Sequence, residues 1–440
     1  MTDGSELRFL ARLARSTFGL AILLAFAPAH AELTVEITQG VSTPIPVAIV
    51  PFAGSSGAPL DIASVVEADL RRSGRFDPLP RKSMLRTPSV ASDVDFAEWR
   101  LLKTDYLVIG RMVSGAAGPA VQFELFNVLS GARILGYSVP IGGDYRLAAH
   151  RTADLIYQGI VGIRGAFATR IAYVAADGAV NARRYRLLVA DSDGVNAHTI
   201  VQSREPLMSP AWSPDGEQLA YVSFEGRASS IWIQTLRTGE RRKVSAREGI
   251  NGAPAFSPDG KRLALAASQK DGNVDVYVLD LASGQYLRVT DDPAIDTEPA
   301  WSPDGRYLYF TSDRAGRPQI YKIGLAAGQK PQRITFEGSY NARPRPSPDG
   351  TQLAVVTVED GQFRIAVIDA QSGRGRVLTQ GAIDVAPSFA PNGQTLIYST
   401  HDRDRGVLAT VSVDGSVASR IESDEGDVRE PAWSPFATNP

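Results

Sequence analysis

Ser213, Ser257, Ser302 and Ser347 each open an SPDG run, with Asp215, Asp259, Asp304 and Asp349 two residues on. A serine beside a carboxylate is raw material for nucleophilic or general-base chemistry. The same letters return as PSFAPNG at 387–393 and PAWSPF at 431–436. Six copies spread evenly along a chain cannot converge on one reacting atom. The GxSxG elbow of serine hydrolases is absent, as are a P-loop and a GxGxxG run. We therefore read the repeated Ser and Asp as turn chemistry and expect no catalytic residue. Beyond residue 31 the histidines are His150, His198 and His401, with no spacing that suits a metal. Cysteine is absent, which removes disulfides, thiolate ligands and a Cys nucleophile. No cofactor is expected. The acidic loops at Asp291-Asp292 and 422–427 leave open a calcium ion on the axis of a ring, held by carboxylates and carbonyls.

The spacing of the copies dictates what must carry them. PAWSPDG at 210–216, PAFSPDG at 254–260 and PAWSPDG at 299–305 are followed by PRPSPDG at 344–350 and the two partial copies. Their starts lie 44, 45, 45, 43 and 44 residues apart, a period that marks propellers and solenoids. After each of the first five copies come three short alternating runs, the last two separated by Gly239, Gly284, Gly328, Gly373 or Gly415. With the motif segment this predicts four antiparallel strands per unit. Ser-Pro-Asp-Gly fits a type I turn, and prolines at both ends of PAW suit an edge strand facing a channel. The third motif position is aromatic in Trp212, Phe256, Trp301, Phe389 and Trp433, with Pro346 the exception. Such rings are expected between neighbouring units.

Strand runs at 170–175, 185–191 and 198–203 lack a preceding motif, while the last motif lacks following strands. Together they complete one unit and close a six-bladed ring. The fold class expected is multidomain: an N-terminal α/β domain, then an all-β six-bladed propeller closed by the C-terminal strand.

Residues 1–31 read as an export signal, with Arg8, Arg12 and Arg15, an apolar run at 17–27, and Ala29-His30-Ala31 before the cut. The α/β domain is expected over 32–165 and the propeller over 166–440. Within the former, 44–52 reads as a strand, 60–76 and 95–103 as helices, 121–128 and 132–139 as a hairpin, and 144–163 as a final helix. The mature start, 32–43, alternates like a strand. It reads either as an edge strand of this domain or as a mobile arm that adds a strand to a partner's sheet. A formal charge of -2 offers no bulk attraction to nucleic acid, and no second apolar run anchors the chain in a membrane. A monomer is expected.

The ordered combination of ELTVEIT (32–38), PVAIVPF (46–52), ADLRRSGRF (68–76), GAFATRIAYV (165–174), NGAPAFSPDG (251–260), TEPAWSPDG (297–305) and TSDRAGRPQIYK (311–322) resembles the TolB family of the Tol–Pal system. The resemblance implies a non-enzymatic periplasmic adaptor. It would bind the peptidoglycan-associated lipoprotein, Pal, on the propeller and TolA through the arm, and support outer-membrane integrity and constriction at division. Other outer-membrane proteins stay open as further partners. The implied lipoprotein contacts are Met208, Asn251, Gly252, Ala253, Thr297, Glu298, Arg343 and Glu430. The implied TolA-binding arm is Glu32, Leu33, Thr34, Val35, Glu36 and Ile37. Ile250 stands where the family often has His, and Arg343 is expected to pair with an acid of the partner. The alternative is a propeller enzyme or a carbohydrate-binding module. Recognition is expected in the pairs before each motif, which differ from copy to copy.

Overall fold

The computed structural model describes residues 35–37, 43–55, 57–115, 118–178, 182–268, 272–423 and 425–437. The predicted export signal lies outside the described residues. Helix α1 (Ile62–Arg72) starts where the Asp61 carboxylate accepts the Ser64 amide, capping its N-terminus. It ends four residues before the predicted boundary. Gly74 turns the chain at φ 68°, and Phe76–Pro78 continues as a strand instead. Helix α2 (Phe96–Leu101) is capped by Asp95, and α3 (Tyr145–Val161) runs from Asp144 to a left-handed Gly162.

These helices pack on a five-stranded mixed sheet in the order 76–78, 45–49, 106–115, 118–127, 133–140. The first three strands are parallel and the last two complete an antiparallel meander. Buried Ile62, Val66 and Leu70 of α1 and Ala149, Ala153 and Ile156 of α3 meet Val47, Ile49 and Leu125 of the sheet. The spacing of these apolar positions on each helix puts them on one face.

The repeats fold as six four-stranded antiparallel blades. Blade 1 takes its inner strand, Asp427–Trp433, from the C-terminal end of the chain and its other three strands from 170–177, 184–191 and 198–203. Blades 2 to 6 begin at Leu207, Asn251, Asp296, Asn341 and Val385. Ring closure by the last strand is thus as predicted.

The arm does not join the α/β sheet that the edge-strand reading expected. Val35–Ile37 adds a fifth strand to blade 6, antiparallel to Val417–Ile421. The edge it covers belongs to the propeller of its own chain, not to the sheet of the α/β domain. Glu32, Leu33 and Thr34 lie outside the described residues.

The motif serines and aspartates are consumed locally. Ser213, Ser257, Ser302 and Ser347 donate to the aspartate two residues on at 2.5–2.6 Å. Each hydroxyl also accepts the amide five residues on, at 2.8–3.0 Å. Successive turns touch around the ring. A Cβ on Gly260 would lie 3.6 Å from Pro214 Cδ, and Gly305 and Gly350 meet Pro258 and Pro303 in the same way. The motif tryptophans join neighbouring blades. Trp212 Nε1 donates to Ala432 O of blade 1 at 2.9 Å, and Trp301 Nε1 to Ala255 O of blade 3 at 3.0 Å. Trp301 also packs on Val276 and Val278 of blade 3.

Trp301→Ala removes a buried ring and orphans a carbonyl between two blades. We predict a loss of about 3–5 kcal/mol, measured by urea unfolding, with Arg237→Ala at an exposed turn near zero.

Candidate functional site

Strand direction divides the propeller into two faces. The SPDG turns and the Gly turns between the third and fourth strands share one face. The α/β domain sits there: Asn392 of the fifth motif donates to Arg164 O at 3.1 Å, and Arg72 Nη1 lies 3.6 Å from Asp193 Oδ2 in the blade 1 turn. The loops that lead into the inner strands open on the opposite face.

On that face every inner strand makes the same departure from regular geometry. Ser209, Ala253, Glu298, Arg343, Ala386 and Glu430, one per blade, all have φ between 47° and 56°. None is glycine, and a non-glycine residue in the left-handed region is strained by about 1–2 kcal/mol. Each immediately precedes the motif proline, and the strand register shifts there, as between Met208 and Ala211 or Thr297 and Ala300. These are β-bulges, which re-aim side chains and end pairing. Six in one ring concentrate strain at the channel mouth, as functional sites do.

Three of the six bulge residues carry charge, and they converge. Arg343 of blade 5 reaches Glu298 of blade 4, with Nε 2.6 Å from Oε1, and Glu430 of blade 1, with Nη2 3.5 Å from Oε1. Burial pulls the Arg343 guanidinium down, but the two carboxylates outweigh it and hold it above its ordinary value. Glu298 Oε2 also accepts the Arg343 amide at 2.9 Å and the Thr311 hydroxyl at 3.0 Å, and Glu430 accepts the Ser209 amide. In this structure Arg343 is paired within the chain, by Glu298 and Glu430. Arg345 follows two residues on, with burial and the charge of Arg343 both lowering its pKa. A cation at Glu298 and Glu430 would compete with the Arg343 guanidinium that already bridges them.

Around the bulges the loops expose large apolar side chains. Met208, Ile250, Ile295, Phe336, Phe363 and Ile383 are all 37% or more exposed. Patches of this kind on a soluble protein mark interaction surfaces. A recess of about 390 Å³ between blades 4, 5, 6 and 1 is lined by Glu298, Tyr340, Arg343, Phe363, His401 and Glu430. Gly252 borders open space, and Thr297 is half-buried beside its bulge.

Asn251 is the exception among the residues expected to touch a partner. It is fully buried, accepts from Ser245 Oγ and the Arg247 amide, and donates to Arg247 O and Ser229 O. Its work is to hold the loop that presents Ile250. Asp296, Asn341 and Asp384 repeat the role three residues before their motif prolines, bonded to Arg314, Glu337 O and Gly381 N respectively. An Asx at that fixed offset is a signal present in the sequence, and it marks a loop closure rather than a contact.

A second grouping has no such signal. Asp69, His150 and Asp193 bring ligand-type atoms within 4.8 Å of one another, between the α/β domain and blade 1. Arg72 and Arg146 already pair with these carboxylates, so a divalent cation would compete with two guanidiniums.

An α/β domain on the turn face of a closed six-bladed ring, with a strained, apolar-rimmed mouth on the free face, defines a two-domain propeller built to present one face. Residues 157–437 match the TolB beta propeller domain and 33–134 the TolB amino-terminal domain. A Tol-Pal system protein TolB of Nitrosococcus oceani is 53% identical over 94% of this chain and 96% of its own. That of Thioalkalivibrio sulfidiphilus is 52% identical over 97% and 98%. The crystal structure of TolB from Acinetobacter baumannii superposes with a TM-score of 0.85 at 39% identity, covering 92% of this chain and all of that one. The chain belongs to the TolB family.

Ala253→Gly tests the strained ring directly. Replacing alanine by glycine ordinarily destabilises, but at φ 47° it relieves the left-handed strain. We expect a gain of about 0.5–1 kcal/mol in thermal or urea unfolding.

Proposed function

We propose that this protein is a non-enzymatic adaptor of the Tol–Pal system, exported to the periplasm by a signal at residues 1–31. Its free propeller face binds the peptidoglycan-associated lipoprotein, and its N-terminal arm binds TolA. By linking the two it supports outer-membrane integrity and invagination at division. Among the described residues no helix is long and apolar enough to cross a membrane.

The observation that carries the lipoprotein assignment is the free face itself. Ala253, Glu298, Arg343 and Glu430 form strained bulges at its centre, and Met208, Ile250 and Ile295 stand exposed around them. Desolvating an apolar rim around a polar centre is how stable interfaces are organised. The motif serines and aspartates are satisfied within their own turns, which favours an adaptor over a hydrolase. The arm reading is supported by strand addition: Val35–Ile37 already extends a sheet of its own chain, and the same backbone groups suit the edge of a partner's sheet.

Ile250→Asp and Ile295→Asp, both at exposed positions, should leave stability within about 0.5 kcal/mol. Each should weaken capture of the lipoprotein about tenfold or more, measured by calorimetry. Unchanged affinity in both would move the docking site elsewhere. Removing residues 32–43 should abolish TolA binding and preserve lipoprotein binding; retention of TolA binding would refute the role of the arm.

A further inference from the structure

The contact between the α/β domain and blade 1 contains a histidine that none of the functions above uses. His150, in α3, is 1% exposed. Its Nδ1 lies 2.6 Å from Asp69 Oδ2 in α1, so Nδ1–H donates to that carboxylate. Its Nε2 is buried without a hydrogen-bond partner and points at the blade 1 turn, 3.8 Å from Asp193 Oδ2 and 4.0 Å from Asp191 Oδ2. A neutral ring would aim a lone pair at two carboxylates, whereas an imidazolium aims an N–H at them.

The charged groups around the ring come from each of the three elements. Helix α1 supplies Asp69 and Arg72, α3 supplies Arg146 and Asp154, and the turn supplies Asp191 and Asp193. With His150 protonated and Asp154 neutral, three cations face three anions. Loss of either proton leaves an uncompensated negative charge in a buried contact, which is costly. Asp154 in turn holds the connection between the domains. It accepts the Phe167 amide at 2.7 Å and the Ala168 amide at 3.2 Å, and a Cβ on Gly165 would collide with it.

The same contact frames the seat of the arm. A methyl on Gly74, just beyond α1, would collide with Val417, and one on Gly194, in the blade 1 turn, with Ile421. Val417 and Ile421 are the two ends of the strand on which Val35–Ile37 docks.

We propose that protonated His150 is a clasp between the α/β domain and blade 1, and that its opening releases the arm from blade 6. The coupling to the arm rests on the arm reading above. The direction follows from linkage. Burial pulls His150 down, but Asp69 and Asp193 outweigh it and raise it above its ordinary 6.5. Its contribution to closure is complete below about pH 6.5 and is lost as pH rises through the raised value. Burial pushes the Asp154 carboxyl from 3.8 up to about 7, against the two amide bonds, so its contribution also declines between those values as pH rises. Both groups close the clasp in acid; Asp154 has lost its contribution by about pH 7, and His150 loses its own above 6.5.

The test uses the whole mature chain, whose lack of cysteine allows site-specific labels. Proton NMR of the unmodified protein should show one histidine titrating above pH 6.5 whose signal is absent in His150→Gln. Nitroxides at Leu129→Cys and Leu287→Cys, both exposed, should give a narrow distance distribution at pH 6 and a broad one at pH 8.5. A single label at Glu36→Cys should be immobile at pH 6 and mobile at pH 8.5. Asp193→Asn should be broad and mobile at both. Titration of His150 at or below pH 6.5, or distances independent of pH, would overturn the clasp. An arm label that does not follow the domain distance would overturn its coupling to the arm. No partner is present in these measurements, so their failure is separable from loss of TolA binding in the trimmed protein.

Discussion

The pairing of Asp427–Trp433 with Arg170–Asp177 is the constraint on which the propeller depends. It joins residues more than two hundred and fifty positions apart and turns an open stack of blades into a ring. Once the ring is closed, each blade has two neighbours, and each motif tryptophan or phenylalanine has a neighbouring blade to pack against. The turns then touch in series, each motif glycine against the preceding motif proline. An unclosed array would leave terminal blades with one bare face, which solenoids cover with dedicated caps.

Closure also separates the tasks of the two faces. The turn face repeats the same four residues and offers a regular platform, and the α/β domain rests on it. The other face is built from the residues that do not repeat. There the six left-handed residues converge, and three of them form the Glu298–Arg343–Glu430 bridge from blades that are distant in sequence. At the mouth Arg343 is held between two carboxylates from other blades, inside a rim of exposed apolar side chains. Strain collects at these positions, where inner strands are forced towards one axis.

Much of this architecture is legible in the residues themselves. The period, the turn chemistry of SPDG, the four strands per unit and the closing strand all follow from local spacing and from proline and glycine stereochemistry. Apolar spacing alone makes helix α1 too long, because the pattern runs on past Arg72; Gly74 and the strand at Phe76 are the signals that end it. The family resemblance implies Asn251 as a contact, although its side chain is saturated by the loop it closes. The arm reads as a strand for a partner or for the α/β sheet, since alternation specifies a strand but not the edge it joins.

The sequence alone determined the ring, its blade number and the face on which variation collects, because each is set by residues close together in the chain. Only the tertiary structure decided which charges meet. Glu298, Arg343 and Glu430, or Asp69, His150 and Asp193, have no common spacing. Their electrostatics depend on distances of a few ångströms and on burial, which exist only once the domains and blades have packed.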